Sequence, residues 1–158
     1  MRMSWPKTLP RAYQLMMDIE NFSEQTSLDP RLKELIKIRA SQLNGCAHCL
    51  DMHTKDARTL GETEQRLYLL SAWKEAPFYS PREKAALAWC EALTLLPESG
   101  APDEVYSELE RQFSPVEIVE LTFAIVVINS WNRLAVGFRS NVGDYVSGKK
   151  PVKMDHTA

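Results

Sequence analysis

A chain of 158 residues, 44% hydrophobic and 25% charged, has the size and make-up of one globular domain with its own core. Its formal net charge is -2, with both signs spread along the chain, and no basic face of the kind nucleic acid requires stands out. The opening MRMSWPKTLPRAYQL lacks a signal-peptide apolar core, and the longest near-apolar run, residues 121–128, falls short of the ~20 residues of a membrane span, so a cytoplasmic protein without a membrane partner is expected.

In chain order, nearly every segment carries helix signals. Pro10 opens a helix to about Phe22, with Leu15, Met16 and Ile19 on one side. Asp29-Pro30 starts the next, where Leu32, Leu35, Ile36 and Leu43 recur at helical spacing. Asn44-Gly45 stops it, since both residues tolerate the left-handed conformation of a helix end. A further helix runs from about Cys46 to Leu60, where Gly61 ends it, and a short one from Thr63 to about Trp73. Ser80-Pro81-Arg82-Glu83 is a capping box with proline in the first turn, and its helix runs to about Leu96.

After a loop at 97–102 comes an exposed helix, Asp103 to Phe113. Ser114-Pro115-Val116-Glu117 repeats the capping box before the most apolar segment, a helix expected from Pro115 to Val136 with Gly137 behind it. The β-branched run Ile125 to Ile128 alone could be a buried strand, but the preceding capping box and the unbroken length favour a helix. The expected fold is all-α, about seven helices in a single domain over 1–146, with a polar, disordered tail over 147–158. An apolar helix in a small domain needs cover on most sides, which points to a homo-oligomer.

Three cysteines do not make a secreted disulfide framework. Two of them lie in Cys46-Ala47-His48-Cys49-Leu50-Asp51-Met52-His53. At ~100° per residue, Cys49 and His53 fall within about 60° of Cys46, so two thiols and an imidazole share a helix face. His48 falls outside that arc. A helix start favours a thiolate, and a nearby imidazole can take the thiol proton. The spacing does not say which thiol attacks. Glu34, on the preceding helix, can reach the cysteines and His53 if the Asn-Gly turn folds the two helices into a hairpin.

Glu34, then eleven residues, Cys46-x-His48-Cys49, then three residues and His53 resembles the active-site motif of the AhpD-type alkyl hydroperoxidases of the carboxymuconolactone decarboxylase superfamily. The resemblance extends over Leu32 to Gly61 and more loosely over Asn129-Ser130-Trp131-Asn132-Arg133. It implies an AhpD-like helical fold, trimers or hexamers, and thiol-dependent reduction of peroxides. By it, Cys49 is the peroxidatic cysteine, Cys46 resolves it to a disulfide and also acts in proton transfer, and Glu34, His48 and His53 form a proton relay. No cofactor is implied beyond an external dithiol, whether a small thiol or a lipoyl-type or thioredoxin-type protein.

Other readings are a cysteine-independent decarboxylase or lactone-processing relative, and a non-catalytic redox-responsive binding protein. A metal clip made of the cysteine pair with Glu34 and His53 is possible on paper but lacks a second Cys/His pair, so no metal is expected. Outside the motif spacing, Glu34 reads as a solvated partner of Lys33 or Lys37. Cys90, Trp131, Asn132 and Arg133 read as packing or subunit-contact residues.

Overall fold

The structure is a computed structural model and describes residues 1–148. Among these residues there are nine α-helices and no strand. They are α1 (Trp5–Thr8), α2 (Pro10–Glu24), α3 (Pro30–Leu43), α4 (Ala47–Thr59), α5 (Glu64–Leu69), α6 (Pro81–Thr94), α7 (Leu96–Ser99), α8 (Asp103–Gln112) and α9 (Pro115–Phe138), with a 3-10 turn at Leu70–Ala72.

Helix α3 is the centre, packed against α4, α6 and α9. Asp29 caps it by accepting from the Arg31 N–H at 2.7 Å, and Pro30 fills the first turn. The helix is buried almost all round, so its polar side chains must find partners inside. The Lys33 ammonium donates to the carbonyls of Ser23 and Glu24 at 3.2 and 2.8 Å, closing the end of α2. The Ser41 hydroxyl donates to the Lys37 carbonyl at 2.7 Å. Glu34 and Lys37 belong to the site described below.

Both capping boxes form as expected, Ser80 with Glu83 and Ser114 with Glu117. Differences lie at element ends. Pro97 has no N–H and clashes with an earlier carbonyl, so α6 stops at Thr94 and the chain restarts as α7 inside the expected loop. The helix expected over 63–73 tightens into the 3-10 turn. Gly137 does not end α9; Arg139 does, at φ +54. The extra helix α1 is a single proline-started turn.

Helix α9 is long and apolar enough to span a membrane by length and composition. Its place in the fold accounts for part of that apolarity. Ile118, Leu121, Ile125 and Ile128 pack into the core, and Asn132 pairs inside it. Asn44, at the α3–α4 turn, donates to Asn129 and Asn132 at 3.0 and 2.9 Å, and Asn132 donates to Ser41 at 3.0 Å. The Asn-Ser-Trp-Asn-Arg stretch thus pins the turn ahead of Cys46, while Gly45 supplies the left-handed residue at φ +65. Asn132→Ala leaves two polar side chains short of a partner and is expected to lower stability by about 1–3 kcal/mol. Urea unfolding should show a lower midpoint at unchanged slope; an unchanged midpoint contradicts this role.

Beyond α9 the chain runs back along α4. Lys55 donates to the carbonyls of Gly143 and Tyr145 at 3.3 and 3.0 Å, and the Gly143 N–H donates to Asp51 at 3.1 Å. Ser147, expected to open a free tail, donates its hydroxyl to Asp56. The rest of that expected tail, 149–158, lies outside the described residues.

Candidate active site

The α3–α4 hairpin builds the site. Cys46 is the N-cap of α4, and its sulfur accepts the Cys49 N–H at 3.3 Å. The helix start thus offers a donor to a Cys46 thiolate. The two cysteines are joined in a disulfide, with Cα atoms 5.4 Å apart, and both are buried.

Glu34 comes to this place from the middle of α3. It is 1% exposed, and its carboxylate lies 2.8 Å from Nδ1 of His53. A carboxylate can only accept, so Nδ1 carries the proton and Nε2 is left as the basic nitrogen. Of the solvated pairing with Lys33 or Lys37 that the bare sequence suggests, the Lys37 partner is present but the pair is buried, not solvated. Lys33 is used at the end of α2, and Lys37 is 2% exposed beside Glu34 at 3.9 Å.

Lys37 also donates to Glu20 at 3.0 Å and to Glu24. Burial acts to lower the pKa of this ammonium, but the charges of Glu34, Glu20 and Glu24 outweigh it and hold the pKa above its ordinary value. The ion cluster fixes Glu34 on the side away from His53.

His48 lies at the same cavity but is not bonded to the Glu34–His53 pair. Its Nδ1 bonds the Asn141 carbonyl, which ties α4 to the chain after α9. Glu34 and His53 are directly paired, and His48 stands at the cavity wall nearby.

The cavity holds about 450 Å³, within the ~300–1,000 Å³ range of small-molecule sites. Cys49, His53, Lys37 and Asp56 line its inner part, and Cys49 is the cysteine of the pair that faces it. Trp5, Tyr13 and Trp131 line the outer part. Trp131, read from the sequence as a packing residue, thus also forms cavity wall, and its ring N–H donates to Glu20 at 2.8 Å.

Asp56 had no part in the sequence reading. It stands one helical turn after His53, a spacing that shares a face and could have flagged it. Its carboxylate accepts the Tyr145 hydroxyl at 2.9 Å as well as that of Ser147. Burial, then the bond to Asp56, push the Tyr145 hydroxyl up to about 12. Side-chain atoms of Glu34, His53 and Asp56 lie within 4.8 Å of one another, close enough to meet a cation. The Lys37 ammonium beside Glu34 and the two hydroxyls on Asp56 already supply positive charge and donors there. Cys90 is fully buried between helices, and burial pushes its thiol up to about 12, so it stays protonated and inert.

An all-helical domain with Cys-x-x-Cys at a helix start, backed by a buried Glu–His pair, is an AhpD-like dithiol domain. The chain belongs to the carboxymuconolactone decarboxylase family, whose pattern it matches over residues 8–92. It is 49% identical over 135 residues to the uncharacterized protein YdfG of Bacillus subtilis, covering 85% of this chain and 92% of that one. It superposes with a TM-score of 0.88 and 45% identity on ATU0492 of Agrobacterium tumefaciens, covering 91% and 99% of the two chains. That protein is of unknown function and provisionally assigned to antioxidant defence as AhpD. The debrominase Bmp8, in complex with 2,3,4-tribromopyrrole, shares the fold at a TM-score of 0.79 and 19% identity, over 87% of this chain and 74% of that one.

Proposed function

We propose that this protein is a thiol-dependent peroxidase that reduces organic hydroperoxides through Cys49 and Cys46. A fold that also carries a debrominase does not choose the reaction. The observation that carries the reading is Cys49 facing the cavity beside His53, whose other ring nitrogen is held by buried Glu34.

In the reduced protein, Nε2 of His53 takes the Cys49 proton, and the thiolate attacks the terminal, hydrogen-bearing oxygen of the hydroperoxide. The O–O bond breaks, and the leaving alkoxide takes a proton from the imidazolium and departs as alcohol. Cys49 is now a sulfenic acid. The Cys46 sulfur attacks Cys49, water leaves, and the disulfide forms. Two electrons have passed from the thiol pair to the peroxide. An external dithiol returns them by attacking Cys49, and Cys46 leaves as a thiolate that accepts the Cys49 N–H. His48, outside the Glu34–His53 pair, serves the cavity wall and the chain after α9 in this scheme.

The same proposal places the protein in the cytoplasm, where dithiol reductants are at hand, and makes it a homo-oligomer. Val116, Val119, Phe123 and Val126 form an exposed apolar stripe along α9, extended by Phe22, whose ring meets Phe123 at 5.6 Å. A second copy is the natural cover for that stripe.

The test is cumene hydroperoxide consumption with excess dihydrolipoamide or dithiothreitol. The proposal expects many turnovers per protein chain. A rate no higher than that without protein contradicts it.

A further inference from the structure

Among the described residues, the cavity has one lysine or arginine cation and four carboxylates at or behind its wall. Lys37 is already engaged by Glu20, Glu24 and Glu34, and Asp56 adds a fourth acid. Lys37 is 2% exposed, so it cannot turn to meet an incoming anion without giving up its partners. Glu20 and Glu24 keep 20% and 31% of their side chains accessible and line the cavity directly. A ligand therefore meets negative charge.

The outer wall is aromatic. Trp5, Tyr13 and Trp131 come from three helices, with ring centroids 5.7 to 6.3 Å apart. Met17, Met52 and Leu134 extend the apolar surface. Such an aromatic wall takes a flat apolar body. The volume is far beyond what hydrogen peroxide fills.

Resting on the peroxidase reading, we infer that the site selects aryl hydroperoxides by charge: it rejects those bearing a carboxylate and accepts neutral ones, with a cationic group favoured further. Fatty-acid hydroperoxides and other anionic peroxides are then poor substrates. The acids that hold Lys37 under Glu34 thus also screen what reaches Cys49.

The experiment uses three para-substituted cumene hydroperoxides bearing a trimethylammoniomethyl group, hydrogen or a carboxylate. The rate constant for disulfide formation in the pre-reduced protein is measured for each and divided by its rate with free 2-mercaptoethanol. The carboxylate is expected to react roughly tenfold or more slower than the neutral compound, and the cation at least as fast as the neutral one. The spread should narrow in 1 M salt, where the Debye length is about 3 Å, and in Glu24→Gln. A carboxylate compound that reacts as fast as the neutral one overturns the inference.

The matching cumyl alcohols, which cannot oxidise a thiol, are titrated in parallel against tryptophan fluorescence of the oxidised protein. The same charge order in binding, without disulfide formation by any hydroperoxide, upholds the charge selection and overturns the peroxidase reading alone. Equal affinities overturn the charge selection whatever the peroxide result.

Discussion

Cys49→Ser is expected to lose peroxide turnover by at least ~10³-fold in kcat/KM, because a serine hydroxyl is not ionised by His53 and does not attack an O–O bond as a thiolate does. The expectation follows from placement: Cys49 is the member of the pair that lines the cavity. Cys46→Ser should behave differently. It keeps the first attack, consumes one equivalent of peroxide, and stops at the Cys49 sulfenic acid, which dimedone traps. Peroxide consumed per pre-reduced chain without added dithiol, and the mass of the trapped adduct, separate the two variants, and turnover with excess dithiol tests Cys49→Ser. Unchanged turnover in Cys49→Ser would remove the thiol mechanism altogether.

Lys37→Met carries the largest expected cost in stability, about 3–5 kcal/mol, out of the ~5–15 kcal/mol typical of a domain. Lys37 is buried against Glu20, Glu24 and Glu34, and methionine fills the volume without the charge. Three carboxylates then face one another in poorly solvated space. Because the Lys37 pKa is raised, its stabilisation is fully present below the ordinary lysine value of about 10.4 and is lost as pH rises through the folded-state value. In the variant the carboxylates relieve their repulsion by taking up protons. The deficit against wild type should therefore be largest near neutral pH and shrink as the pH falls through the carboxylate range. Urea unfolding of both proteins at pH 7 and pH 5 measures it. An equal deficit at both values would mean that lost packing, not charge, is the cause.

The parts of this protein legible in its sequence are those written in local chemistry. The capping boxes at Ser80 and Ser114, the Asn44-Gly45 stop and the phase of Cys46, Cys49 and His53 all depend on neighbours a few residues apart. Glu34 was legible through its spacing to the cysteines, and the hairpin geometry delivers it to His53 at 2.8 Å.

The rest depends on contacts distant in the chain. Lys37 looks like a solvated lysine until α2 brings Glu20 and Glu24 over it from seventeen and thirteen residues away. Trp131 becomes cavity wall because α1 and α2 set Trp5 and Tyr13 beside it. Asp56 acquires its partners from a segment about ninety residues later, which no local pattern announces. For the same reason the helix phase set His48 apart but could not show its bond to the Asn141 carbonyl.

The most direct test of the central claim is a single-turnover titration. Fully reduced protein has three thiols to count after denaturation. One equivalent of cumene hydroperoxide should bring that count to one, as the Cys46–Cys49 disulfide forms and Cys90 stays free, with one equivalent of cumyl alcohol released. A count that stays at three, or that falls without matching alcohol, would contradict the peroxidase account.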